Sequence, residues 1–139
     1  MFRNILVPTD LTEKSLKAIE IAAGMGKGKP CHITLLHVVE TIEDDEGDEF
    51  REFYDKIAAR AEKNMAKIAR RYETDNIKIH TDIIYGRRVH EIVKYASVKG
   101  IDLIILSSHK LNEMESNDGW ATISYRVGIL APCPVMMVK

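Results

Sequence analysis

Along this chain, short apolar runs alternate with longer stretches in which apolar residues recur three and four positions apart. These are the signatures of strands and of amphipathic helices. The first run, Ile5-Leu6-Val7, lies in a strand predicted from Arg3 to Val7. A continuous run of this kind is expected where both strand faces are covered. Pro8-Thr9-Asp10 ends it. Thr12 then stands as an N-cap and Glu13 in a first helical turn, with Leu16, Ile19 and Ala23 on one face. Gly24, Gly26 and Gly28 unwind that helix beside Lys27 and Lys29. A second strand runs from Ile33 to Val39. The acidic stretch Glu40 to Glu49 reads as an exposed connection into a long helix. Phe50, Phe53, Ile57, Ala61, Met65, Ile68 and Tyr72 give that helix the clearest amphipathic spacing in the chain.

The third strand, Ile77 to Ile84, has a different rhythm. Ile77, Ile79, Thr81 and Ile83 alternate with Lys78, His80 and Asp82, as on a half-exposed edge strand. Gly86 turns the chain, Val89, Ile92, Val93 and Ala96 line the next helix, and Gly100 closes it. The fourth strand, Leu103 to Leu106, is fully apolar and is expected at the centre. Trp120, Ile123, Val127 and Leu130 mark a last helix, Pro132 stops it, and Val135 to Val138 form the final strand. The order β-α-β-α-β-α-β-α-β implies a parallel sheet joined by right-handed crossovers.

Composition narrows the class. A chain of 139 residues is expected to be one domain with a real core. Hydrophobic residues at 45% and charged residues at 29% describe an ordinary soluble globule. A formal net charge of -1 gives no field to draw in nucleic acid or an anionic membrane. The apolar runs are too short to span a bilayer. The chain starts on a strand pattern rather than a signal segment. Cys31 and Cys133 form no CxxC and are expected free and buried in a reducing, cytoplasmic setting.

Three blocks carry a resemblance. ILVPTDLTEKSLKAIEIA opens the chain, ITLLHVVE forms the second strand and ATISYRVGILAPCPVMMV ends it. Together they resemble the universal stress protein family: its opening strand with a Pro/Val-x-Asp turn, its second strand with His-Val, and its Ala-x-Cys-Pro-Val-x-x-Val ending. The resemblance covers all 139 residues, as one UspA-like domain. It implies an α/β fold of the adenine nucleotide alpha hydrolase-like kind. That fold is a single doubly wound five-stranded parallel sheet of order 3-2-1-4-5 with helices on both faces. It also implies a homodimer paired through Val135 to Val138.

Many members of that family bind ATP through G-x2-G-x9-G-[ST] after the fourth strand. Glycines let the backbone approach phosphate, and a hydroxyl and a helix start add donors. Here the glycine positions match Ser107, Lys110 and Ala121, with one inserted residue, and the hydroxyl survives as Thr122, followed by Ile123. No glycine is kept at these positions, and Glu113, Glu115 and Asp118 enter the loop. Each would repel a phosphate charge at ~5 Å by a kcal/mol or more. Lys110 offsets part of this, or is a solvated loop lysine. Thr122 is either a remnant of the anion site or a helix cap. The adenosine half is better kept: Pro8, Thr9, Asp10 and Val38 match the positions that hold adenine and ribose. Asp10 suits a ribose hydroxyl or an adenine amino group, or serves as a turn residue accepting backbone N–H bonds.

Other groupings point elsewhere with less force. His32, His37, His80, His90 and His109 form no metal spacing. His37 reads as a hydrogen-bonded structural histidine near the cleft. Ser107-Ser108 lacks the G-x-S-x-G elbow of a hydrolase. Arg87-Arg88 opens the third helix, and reads as solvated loop or as partners for a carboxylate or phosphate. The expectation is a non-catalytic, dimeric stress-response or regulatory binding module with a degenerate nucleotide site. It has a possible protein partner, no nucleic acid or membrane contact, and no firm cofactor, with AMP or ATP as the candidates. The alternative is an adenine-nucleotide module that prefers AMP, or another ligand with fewer phosphates than ATP.

Overall fold

The structure, a computed structural model, describes residues 2–41, 50–108 and 119–139, and of 119–122 the backbone alone. Strands and helices alternate through β1 (Asn4–Pro8), α1 (Glu13–Met25), β2 (Cys31–Glu40), α2 (Arg51–Tyr72), β3 (Ile77–Gly86), α3 (Arg88–Val98), β4 (Leu103–Ser107), α4 (Gly119–Leu130) and β5 (Val135–Val138). The strands form one five-stranded sheet of order β3-β2-β1-β4-β5. All neighbours are parallel. The alternating β3 is an edge, and all five residues of β4 are buried.

The period of two in the strands divides the core into two layers. Ile5, Val7, Ile33, Leu35, Leu103 and Ile105 meet Ala18, Ile19 and Ala22 of α1 and Met65 of α2. Leu6, Leu36, Val38, Ile104 and Leu106 meet Val89, Ile92 and Ala96 of α3 and Val127 of α4 on the other face. Successive residues of one apolar run thus serve opposite layers.

Several local expectations shift. Helix α1 turns Ser15, Ala18, Ile19 and Ala22 inward, while Leu16 and Ala23 are half-buried. Small residues let the helix approach the sheet, and Ser15 meets burial by donating to Thr12 O at 2.6 Å. Gly24 does not unwind α1, which runs on to Met25 and is capped at Gly26. A single glycine costs a helix only about 1 kcal/mol. Thr12 occupies the N-cap position but makes no side-chain cap bond. Its hydroxyl donates to Asp10 Oδ1 at 2.6 Å instead. In α2 the buried residues are Ala61, Met65 and Ala69. Phe50 and Phe53 stay exposed although they continue the apolar stripe, because periodicity sets a face and not how far a neighbour covers it. Phe53 packs on Tyr54, and Tyr54 on Tyr85, with ring centroids 5.8 and 6.3 Å apart.

Both cysteines are free; Cys31 is buried and Cys133 half-buried. They pack into layers on opposite faces of the sheet, which rules out a bond between them. Among the described residues no helix is long and apolar enough to cross a membrane. The greater part of the acidic stretch, residues 42–49, lies outside them.

Candidate functional site

The carboxyl ends of parallel strands, close to where the strand order reverses, are where such sheets receive ligands. Here the reversal lies between β1 and β4. Beside it the chain makes a tight, heavily bonded turn. Pro8 closes β1 opposite Leu36, and Thr9 N–H extends the ladder to Leu36 O at 2.8 Å. The buried Thr9 hydroxyl donates to Ser15 Oγ at 2.8 Å and accepts from Leu11 N–H at 3.0 Å. Asp10 Oδ1 accepts from Thr12 N–H at 3.0 Å and from its hydroxyl. Leu11 between them sits at φ 67, a left-handed conformation that costs a non-glycine residue about 1–2 kcal/mol. The bonds on either side hold it there.

Strand β2 supplies the opposite wall. His37 Nδ1 lies 2.9 Å from Thr9 O. A carbonyl can only accept, so Nδ1 carries the proton and Nε2 of the neutral ring is left as the acceptor. The imidazole therefore clamps the end of β2 to the turn after β1, the hydrogen-bonded role expected of it. Val38 is buried one position further on. Pro8, Thr9, Asp10, His37 and Val38 line one crevice, with Arg88 and Ile92 of α3. Its enclosed part measures about 10 Å³, room for about one water molecule.

A model of the universal stress protein family matches residues 1–139. The chain belongs to the universal stress protein family. It is 28% identical over 149 residues to universal stress protein YxiE of Bacillus subtilis, across 100% of both chains. It is 29% identical over 157 residues to universal stress protein MJ0577 of Methanocaldococcus jannaschii, across 100% of this chain and 96% of that one. Among solved structures it resembles UspA from Lactobacillus plantarum, with a TM-score of 0.84, 26% identity, and coverage of 99% of this chain and 98% of that one.

Of the positions matched to the universal stress protein pattern, the fold gathers Pro8, Thr9, Asp10 and Val38. Ser107 ends β4 and is buried, and Ser124 of α4 donates to its carbonyl at 3.5 Å. Ile123 lines a neighbouring groove between α3 and α4 rather than the crevice. Lys110, like His109 and the three loop carboxylates, lies outside the described residues. Helix α4 begins at Gly119, so Thr122 is its fourth residue and not its cap; its side chain is outside the described residues.

Reading the sequence missed one residue. Ser15 braces the turn, and its place three residues after Thr12 was the available signal. Arg88, for which the sequence leaves both a solvated loop and a partner for a carboxylate or phosphate open, is half-buried and forms part of the crevice wall. Its position one residue past Arg87, the N-cap of α3, turns it toward β2. Among the described residues no group of histidine, cysteine and carboxylate side chains could hold a metal.

Proposed function

We propose that this universal stress protein is a non-catalytic regulatory binding module, working in the cytoplasm as a homodimer. Its crevice receives the adenosine part of a ligand with fewer phosphates than ATP, of which AMP is the simplest. The convergence of Pro8, Thr9 and Asp10 of one hydrogen-bonded turn with Val38 of β2 carries this reading. The carboxylate of Asp10 stands where a ribose hydroxyl could donate to it. Proteins of this fold have been solved with cAMP, dAMP and AMP, at 15%, 12% and 17% identity to this chain. At that distance they speak for the fold, and the choice of ligand rests on this chain's own residues. Against a triphosphate stand the missing glycines at Ser107, Lys110 and Ala121 and the charges of Glu113, Glu115 and Asp118.

The dimer reading rests on β5. Among the described residues it pairs with β4 alone, and an open edge is a template for a second strand. Met136 and Met137 of β5 are exposed, with Tyr125, Ile129 and Leu130 of α4.

Calorimetric titration with AMP and ATP at physiological Mg²⁺ tests the ligand. AMP binding that is lost in Asp10→Ala supports the reading, with the melting temperature checked alongside because Asp10 also holds its turn. Micromolar ATP binding overturns it. A monomer by light scattering at tens of micromolar overturns the dimer.

A further inference from the structure

Beside Arg88 lies a wider groove between the start of α3 and the face of α4 that carries Ile123, Arg126 and Leu130, with a volume of about 530 Å³. That is within the ~300–1,000 Å³ range of small-ligand pockets. Arg87, Arg88 and His90 line it from α3 and Arg126 from α4. Glu40, at the end of β2, is the carboxylate among its described lining residues. Arg88 lines both spaces, so the two are neighbours.

Two arginines, Arg87 and Arg88, stand at the start of α3, with Glu91 in its first turn. Cations at the N-terminus of α3 oppose its dipole, which favours anions there. An anion in the groove reverses that penalty. It would meet the guanidiniums of Arg87 and Arg88 beside the positive dipole end of α3. Arg87 and Arg88 have contacts within the chain, so such a ligand would replace or share those contacts. Arg126, exposed on the facing helix, then closes the groove from the other side.

We propose that this groove is the phosphate site of the chain: Arg87, Arg88 and Arg126 hold the phosphate of a nucleotide whose nucleoside lies at Pro8 to Val38. Arginine side chains would thus do what a glycine-rich loop does with backbone N–H groups. The proposal builds on the adenosine reading, and its test separates the two.

Adenosine, AMP and inorganic phosphate are each titrated calorimetrically into the full chain, the Arg126→Glu variant and the Arg87→Gln variant. Circular dichroism confirms folding, which exposed positions should preserve. AMP should bind more tightly than adenosine to the parent chain. Arg126→Glu should weaken AMP roughly ten- to a hundredfold, the worth of one charged hydrogen bond, and leave adenosine unchanged. Arg87→Gln should weaken AMP in the same direction. Inorganic phosphate that binds with the same sensitivity to Arg126, while adenosine does not bind, supports the groove and sinks the nucleoside reading. AMP binding that ignores both substitutions overturns the groove and leaves the nucleoside reading standing. Failure of both AMP and phosphate to bind the parent chain also overturns it.

Discussion

Replacing Thr9 by valine tests whether the turn at the end of β1 is held as described. The two side chains have nearly the same shape, so the change removes a hydroxyl and little volume. Thr9 as a whole is 3% exposed. Its hydroxyl donates to Ser15 Oγ at 2.8 Å and accepts from Leu11 N–H at 3.0 Å. Losing the first bond costs about 1 kcal/mol, and leaving the Leu11 N–H without its acceptor adds about 1–3. Ser15 keeps its own bond to Thr12 O, so it is not left unsatisfied. The sum is roughly 2–4 kcal/mol, which for a domain of this size lowers the melting temperature by roughly 5–15 °C. Urea unfolding at neutral pH, followed by circular dichroism, measures the loss. A double-mutant cycle with Ser15→Ala isolates the hydroxyl pair, with a coupling of about 1 kcal/mol expected. A loss in Thr9→Val below about 0.5 kcal/mol, the level of an ordinary surface change, would refute the reasoning. It would mean that Leu11 keeps its left-handed conformation without help.

Three further predictions follow from the packing. Met65→Ala empties a fully buried position between α2 and the sheet and should cost about 2–5 kcal/mol in urea unfolding; a cost under 1 would show that the layer collapses freely. The Tyr95 hydroxyl is pushed up to about 12, first by burial and then by the charge and hydrogen bond of Asp82. The folded chain then holds a proton that an unfolded tyrosine, near 10, releases. Its contribution is complete below about pH 10 and fades as pH rises through 12; two units cap it at about 3 kcal/mol, and solvent screening at a half-buried ring leaves about 1. Tyr95→Phe should flatten that alkaline fall, measured as stability against pH, and an unchanged slope would contradict it. Burial raises both thiols above their ordinary range, so less thiolate is present at neutral pH. Half-buried Cys133 should react with a maleimide before Cys31, both more slowly than free cysteine, and equal fast labelling would contradict this burial order.

Particular residues show where reading the sequence succeeds. The run Ile5-Leu6-Val7 and the alternation from Ile77 to Ile83 place a central and an edge strand correctly, because a strand's side chains report directly on what covers each face. The β-α order and the right-handed crossover rule leave few sheets to choose from. In helices the inference is weaker. Phe50 and Phe53 continue a stripe yet stay exposed among the described residues, and Ser15 is buried where Leu16 is half-buried, since the depth of packing belongs to the neighbour.

By itself the sequence determined the element order, the family, the two-layer core and the group Pro8, Thr9, Asp10 and Val38. The element order and the core follow from local patterns of hydrophobicity, and the family and the group follow from the resemblance of three sequence blocks to universal stress proteins. Tertiary structure alone decided that His37 clamps Thr9, that Arg88 walls the crevice, and that Arg126 shares a groove with Arg87. The physical reason is separation along the chain. His37 and Thr9 are 28 residues apart, and no local rule brings their atoms to hydrogen-bonding distance. Only parallel register does, by setting the ends of β1 and β2 side by side with the start of α3 beside them.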